Sequence, residues 1–136
     1  MSDFGIIGKW NTVPSAELTA ELTAKYEDAL NAAGIPLKTV MNLCVVFDEI
    51  YANICKYSEA TDLLLTIEKS DKSVRIIFDY NGVLFDPTKR EEVDTTKSIE
   101  EREIGGLGIH IVKKMTDSMT YECENGRNHL TLIKKF

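Results

Sequence analysis

Two runs in the middle of the chain, LLLTIEK (residues 63–69) and SVRIIFD (residues 73–79), are rich in β-branched and large apolar residues. Only Ser70-Asp71-Lys72 separates them, which is the signature of a β-hairpin. A second pair follows at the end of the chain. SMTYECE and NHLTLIKKF flank Asn125-Gly126, a dipeptide suited to a tight turn. The chain must therefore build a largely antiparallel sheet and cover it with something.

The cover lies upstream. Phe4–Trp10 reads as a short strand. Ser15 can cap a helix whose Leu18, Leu22, Tyr26 and Leu30 recur every four residues and which Gly34 ends. Pro36 opens a second helix, where its fixed φ and missing N–H cost nothing. This helix runs to about Tyr57 with Leu43, Phe47, Ile50, Ile54 and Tyr57 as its apolar stripe. From Tyr80 to Ile104 the chain is irregular and heavily charged, and such a long loop in a small domain is usually functional or mobile. Gly105-Gly106-Leu107-Gly108 then leads into a third helix, IHIVKKMTD. Helices and strands are partly segregated, so the expected class is α+β. The expected architecture is a two-layer α/β sandwich: a mixed, mostly antiparallel sheet of about five strands with three main helices on one face.

A length of 136 residues suits one domain, 1–136, able to bury a core without metal or disulfides. The net charge of −6 argues against a nucleic-acid backbone as partner. No segment approaches 18 apolar residues, so no membrane span is expected, and the opening MSDFGIIGKW lacks a secretory pattern. Cys44, Cys55 and Cys123 match neither a metal pair nor a disulfide framework, which fits a cytoplasmic, reducing compartment.

Three stretches carry possible chemistry. In FDEIYANICKYS, Glu49 and Asn53 are four apart and share a helix face with Asn42, Val46 and Lys56. A carboxylate there suits a general base, and an amide oxygen one turn on suits Mg²⁺, a hard cation. In GGLGIHIVKKM, adjacent glycines at a helix start let free N–H groups approach a phosphate. In FDYNGVLFDP, a strand stops at an acidic, glycine-bearing turn. Taken alone, each is also what a solvated helix face, a structural turn or a plain hairpin looks like.

Together and in this order they resemble the Bergerat-fold ATPases, and most closely the anti-sigma factor serine/threonine kinases. DEIYANICKYS resembles that group's N-box, YNGVLFDP its first glycine box and REIGGLGIHIVKKMTDSMTYE its second, so the resemblance runs from about Phe4 to Phe136. It implies that Glu49 is the catalytic base and Asn53 the Mg²⁺ ligand. It implies further that Gly105, Gly106, Leu107 and Gly108 form the phosphate-covering lid, and that Thr131 lies near the adenine. Arg102 is a further candidate for a phosphate. The implied function is ATP-dependent phosphorylation of an anti-sigma antagonist, with ATP and Mg²⁺ as cofactors, a sigma factor as second partner, and often a homodimer.

One position departs from the pattern. The group's first glycine box reads Asp-x-Gly, whereas two residues before Gly82 this chain has Tyr80. Asp79 and Asn81 flank it, and strict alternation points both away from Tyr80. Either Asp79 or Asn81 substitutes in the adenine contact, or the contact is lost, which weakens binding roughly ten- to 150-fold. The alternative function is a partner-switching module of the same fold that does not phosphorylate. The ATPase half of a sensor histidine kinase is disfavoured, because the chain is too short to hold a phosphoacceptor helix pair as well.

Overall fold

A computed structural model describes residues 3–89 and 106–136. The chain runs through β1 (Gly5–Thr12), a 3-10 turn at Ala16–Leu18, α1 (Thr19–Ala32) and α2 (Leu37–Asn53), which continues into a π-helical turn at Ile54–Ser58. Then come β2 (Leu63–Lys69), β3 (Ser73–Tyr80), a 3-10 turn at Pro87–Lys89, α3 (Gly106–Met115), β4 (Ser118–Glu124) and β5 (Arg127–Lys135). The sheet order is β1-β2-β3-β5-β4. Each of its four pairings is antiparallel. The expected α+β sandwich of five strands and three main helices is borne out.

Period-two alternation decides which side of each strand meets the helices. On β3, Val74, Ile76, Phe78 and Tyr80 are buried, while Arg75, Ile77 and Asp79 are only partly so. On β5, Asn128, Leu130 and Leu132 are buried and pair with Tyr80, Phe78 and Ile76. This inner face packs on Leu22, Tyr26 and Leu30 of α1, on Leu43, Phe47 and Ile50 of α2, and on Ile109 and Val112 of α3. Phe47 is the hub: its ring stacks on Tyr26 at 4.9 Å, Tyr51 at 5.3 Å and Phe78 at 6.2 Å between centroids. One side chain thus ties both long helices to the centre of the sheet.

Local signals explain the helix ends. Ser15 Oγ accepts from Glu17 N at 3.2 Å, so it caps the 3-10 turn that leads into α1. Gly34, at φ +78, lets the chain reverse between α1 and α2, and Pro36 precedes the first residue of α2 as expected. The far end of α2 departs from the expected stripe. Tyr57 is 45% exposed rather than part of the core. The π turn holds an extra residue, so Ser58 rotates inward in its place and donates its hydroxyl to the Ile54 carbonyl at 2.6 Å. α3 begins at Gly106, earlier than the IHIVKKMTD reading placed it. Among the described residues no helix is long and apolar enough to cross a membrane.

Candidate active site

α2 has two shoulders. One faces α1: Tyr26 Oη donates to the Leu43 carbonyl at 2.8 Å, Tyr51 Oη donates to the Ser15 carbonyl at 2.8 Å, and Thr23 Oγ1 donates to Asp48 Oδ1 at 3.3 Å. At 100° per residue, Asn42, Val46, Glu49 and Asn53 fall on the other shoulder. Val46 in that row is fully buried, and Asn42, Glu49 and Asn53 are half-buried; only Lys56 is exposed. The row therefore borders the core and is not a solvated face. α3 also packs against α2, and Gly106, Leu107 and Gly108 form its first turn.

The two candidates on this shoulder carry polar groups without partners among the described residues. Asn53 Nδ2 is buried and makes no hydrogen bond. Leaving such a group unpaired costs about 1–3 kcal/mol, so it calls for a ligand. A carboxamide can turn over and present its oxygen in place of its nitrogen, so the same site can meet a cation or an anion. Glu49, one turn earlier, has no hydrogen bond or ion pair to another described residue. A pair of this kind fits a magnesium nucleotide: one oxygen donor for the cation, and a carboxylate nearby that no cation among the described residues neutralises.

The end of β3 resolves the three residues around the departure. Tyr80 points to the helix side and is 6% exposed. Burial, and then the nearby Tyr121, push its phenol well above the ordinary 10.0. Asp79 points to the outer side of the sheet. Its Oδ1 accepts from Arg127 Nε at 2.6 Å, its carbonyl accepts from Arg127 Nη2 at 3.2 Å, and His129 Nδ1 lies 3.6 Å from Oδ2. Arg127 also reaches Asp62 at 3.1 Å. Asn81 lies in the following turn, where its Oδ1 accepts from the N–H groups of Thr61 and Asp62 at 2.8 and 3.1 Å and its Nδ2 donates to Thr61 Oγ1 at 2.9 Å. Neither Asp79 nor Asn81 thus offers a free carboxylate or amide on the side where Tyr80 points.

Gly82 joins this turn to the end of α2. Its φ is +93, and a Cβ there would stand 2.1 Å from the Ser58 carbonyl oxygen, which accepts from Val83 N at 2.6 Å. Only glycine fits. Thr131 sits on the opposite side of the sheet from Asn53, in register with Ile77 and Thr120, because Leu130 and Leu132 take the inward positions. The structure thus places Glu49, Asn53 and α3's first turn with the helix layer, and Tyr80 beneath that layer on the sheet. It separates Asp79 and Thr131 from them. Gly105 and Arg102 lie outside the described residues, as does most of the charged segment before them.

Sequence reasoning missed Asn128. It is fully buried at the start of β5, opposite Tyr80. Its Oδ1 accepts from Phe85 N at 3.2 Å and Tyr121 Oη at 2.5 Å, and its Nδ2 donates to the carbonyls of Tyr80 and Val83 at 3.4 and 3.1 Å. It fixes the course of residues 80–85. The available signal was phase: Asn128 shares the inward positions of NHLTLIKKF with Leu130 and Leu132, and an inward polar residue must find partners.

Comparison with known proteins gives three findings. The sequence model of the histidine kinase-like ATPase domain matches residues 13–134. A curated relative, the serine/threonine-protein kinase BtrW of Bordetella bronchiseptica, is 26% identical over 100 residues, covering 71% of this chain and 69% of the relative. Two solved structures share the fold. A Mycobacterium tuberculosis protein solved as its RsbU and RsbW domains matches with a TM-score of 0.65 at 12% identity; the match covers 93% of this chain but only 32% of that one. A chain of the SiaB–SiaC complex of Pseudomonas aeruginosa matches with a TM-score of 0.58 at 16% identity, covering 96% and 91% of the two chains.

Proposed function

Because this chain belongs to the histidine kinase-like ATPase domain family, we propose that it is an ATP-dependent serine/threonine protein kinase and anti-sigma factor of a bacterial partner-switching pathway. The family match implies ATP binding. The phosphotransfer reading draws support from the relative described as a serine/threonine-protein kinase. The proposed substrate is an anti-sigma antagonist protein, the second partner a sigma factor, the working form a homodimer and the compartment the cytoplasm.

The observation that carries this reading is the buried, unpartnered Asn53 amide one turn from a Glu49 that has no ion pair among the described residues. Bound Mg-ATP would supply the phosphoryl group with its charge partly neutralised. Asn53 would hold the cation through its amide oxygen. The first turn of α3 would offer backbone N–H groups to phosphate oxygens, helped by the positive end of the helix. Gly105, Gly106, Leu107 and Gly108 would close over the phosphates. Glu49 would accept the proton of the substrate's serine or threonine hydroxyl on its carboxylate oxygen, since no cation among the described residues holds its charge.

The decisive measurement is thermal stability with and without millimolar Mg-ATP. A ligand at 100 times its dissociation constant stabilises by about 2.7 kcal/mol, a shift easily seen. Wild type should shift and Asn53→Ala should not. Glu49→Ala should still shift while losing transfer to the antagonist. No wild-type shift would sink the kinase reading.

The end of β3 favours a second reading, a partner-switching module of the same fold that does not phosphorylate. Tyr80 is buried where the group's adenine-binding Asp is expected, Asp79 is held outward by Arg127, and Asn81 is bonded to Thr61 and Asp62. On this reading Mg-ATP produces no shift, while the antagonist and sigma factor still bind. On the kinase reading the base is recognised without Asp79 or Thr131, and Tyr80 offers its ring instead.

A further inference from the structure

The outward side of α2 carries an apolar stripe that the folded chain leaves uncovered. Leu37, Met41 and Val45 are 68%, 61% and 39% exposed. They recur every four residues along about 12 Å of helix. The four-residue series continues into Glu49 and Asn53, but each step turns it about 40°, so it starts on the outward side at Leu37 and reaches the candidate-site shoulder only at Glu49. Exposed apolar residues scattered singly need no explanation, but three in helical register form a ridge that another helix can pack against.

The border of the stripe carries charge. Asp48 lies on its α1 side, where among the described residues it accepts only from the neutral hydroxyl of Thr23. Glu27 of α1 lies on the same side: it and Asp48 both act on Cys44, whose half-buried thiol is pushed up to about 11, chiefly by burial. Neither carboxylate has an ion pair with another described residue; the Lys25 ammonium is paired with Glu21. Lys38 is exposed at the N-terminal end of the stripe. A second copy of this chain is a poor match. Antiparallel twofold pairing through α2 would bring the two acidic shoulders to the same side of the contact, where like charges repel.

We propose that this stripe seats an amphipathic helix of a partner protein, its apolar anchors docking on Leu37, Met41 and Val45 and its flanking Lys or Arg residues meeting Glu27 and Asp48. Recognition would be helix-in-groove, with the charges choosing the partner and its direction. It does not rest on the nucleotide reading: the stripe lies on the outward side of α2, and only its Val45 end comes within a turn of Glu49.

The test uses two synthetic peptides of about 18 residues, long enough to form a helix. Both carry leucines at four-residue spacing; one has lysines beside them and the other glutamates. Binding to the full chain is read by fluorescence anisotropy, and self-association of the free chain by light scattering. The lysine peptide should bind at least about tenfold more tightly than the glutamate peptide. Met41→Asp should weaken it by a similar factor, although it adds a negative charge and would strengthen any diffuse attraction to an acidic protein. The double variant Glu27→Lys, Asp48→Lys should reverse the preference. Absence of binding, equal binding of both peptides, or binding unchanged by Met41→Asp would overturn the proposal. So would a wild-type dimer that Met41→Asp turns into a monomer, since the occupant would then be a second copy.

Discussion

Asn53 and Asn128 are both asparagines with amide atoms inside the protein, and they use them in opposite ways. Asn128 makes four hydrogen bonds, three of them to the backbone of residues 80–85 and one to Tyr121. Asn53 has a buried Nδ2 that makes none. One amide is consumed in holding a loop against the sheet, whereas the other is held ready by a helix that gives it nothing to hold. A buried amide costs little when fully paired and much when it is not. The difference therefore separates a residue that serves the fold from one whose amide is left for the proposed ligand.

Breaking the paired side should have the largest effect. Asn128→Ala removes the amide's four hydrogen bonds, to the Tyr80 and Val83 carbonyls, the Phe85 N–H and the Tyr121 hydroxyl, and should destabilise by about 3 kcal/mol or more in urea unfolding. Gly82→Ala comes next. It sets a Cβ against the Ser58 carbonyl at positive φ and should cost about 2–3 kcal/mol.

Tyr80 tests the same seam by pH. Its folded phenol is raised above 10.0, so its contribution is complete below that value and is lost as pH rises through the folded value. Stability should therefore fall above pH 10, and Tyr80→Phe should remove up to about 1.4 kcal/mol of that fall per pH unit. Buried Tyr26, shifted the same way, should keep the variant from becoming flat. Arg127→Met cuts the link between Asp79 and Asp62. These groups are partly exposed, so about 1 kcal/mol is expected, shrinking in high salt.

The unpaired side should show the smallest loss of stability. Asn53→Ala should leave the free protein as stable as wild type or up to about 1–3 kcal/mol more stable, because it removes a buried amide that has no partner there. A loss as large as that of Asn128→Ala would erase the distinction between the two asparagines.

Much of the architecture was legible because it rests on short-range patterns. Both hairpins, the Ser15 cap, the Gly34 reversal and the Pro36 helix start follow from residue types at fixed offsets. What escaped depends on geometry that no offset encodes. Tyr57 sits at a spacing that an α-helix would bury, and only the π turn puts Ser58 there instead. In the site, Glu49 and Asn53 were legible from their spacing on one helix. The arrangement at Tyr80 was legible only in part: alternation sends Asp79 outward, but its capture by Arg127 joins residues 48 apart. The loose placement of Thr131 near the adenine ran against the alternation of its own strand.

The seam between β3 and β5 has a consequence for how the molecule assembles. Within the β2–β3 hairpin, Arg75 reaches Glu68 across a separation of 7, whereas Asn128 meets Tyr80 across 48. Pairings of high sequence separation close late, after local hairpins and helices have formed. The bonds of Asn128 should therefore be absent from the folding transition state. In chevron measurements, Asn128→Ala should speed unfolding and leave the folding rate nearly unchanged. The loop beside Tyr80 would then be among the last parts to form and the first to let go, and the kinetic lifetime of the native state would be set at the mouth of the candidate site.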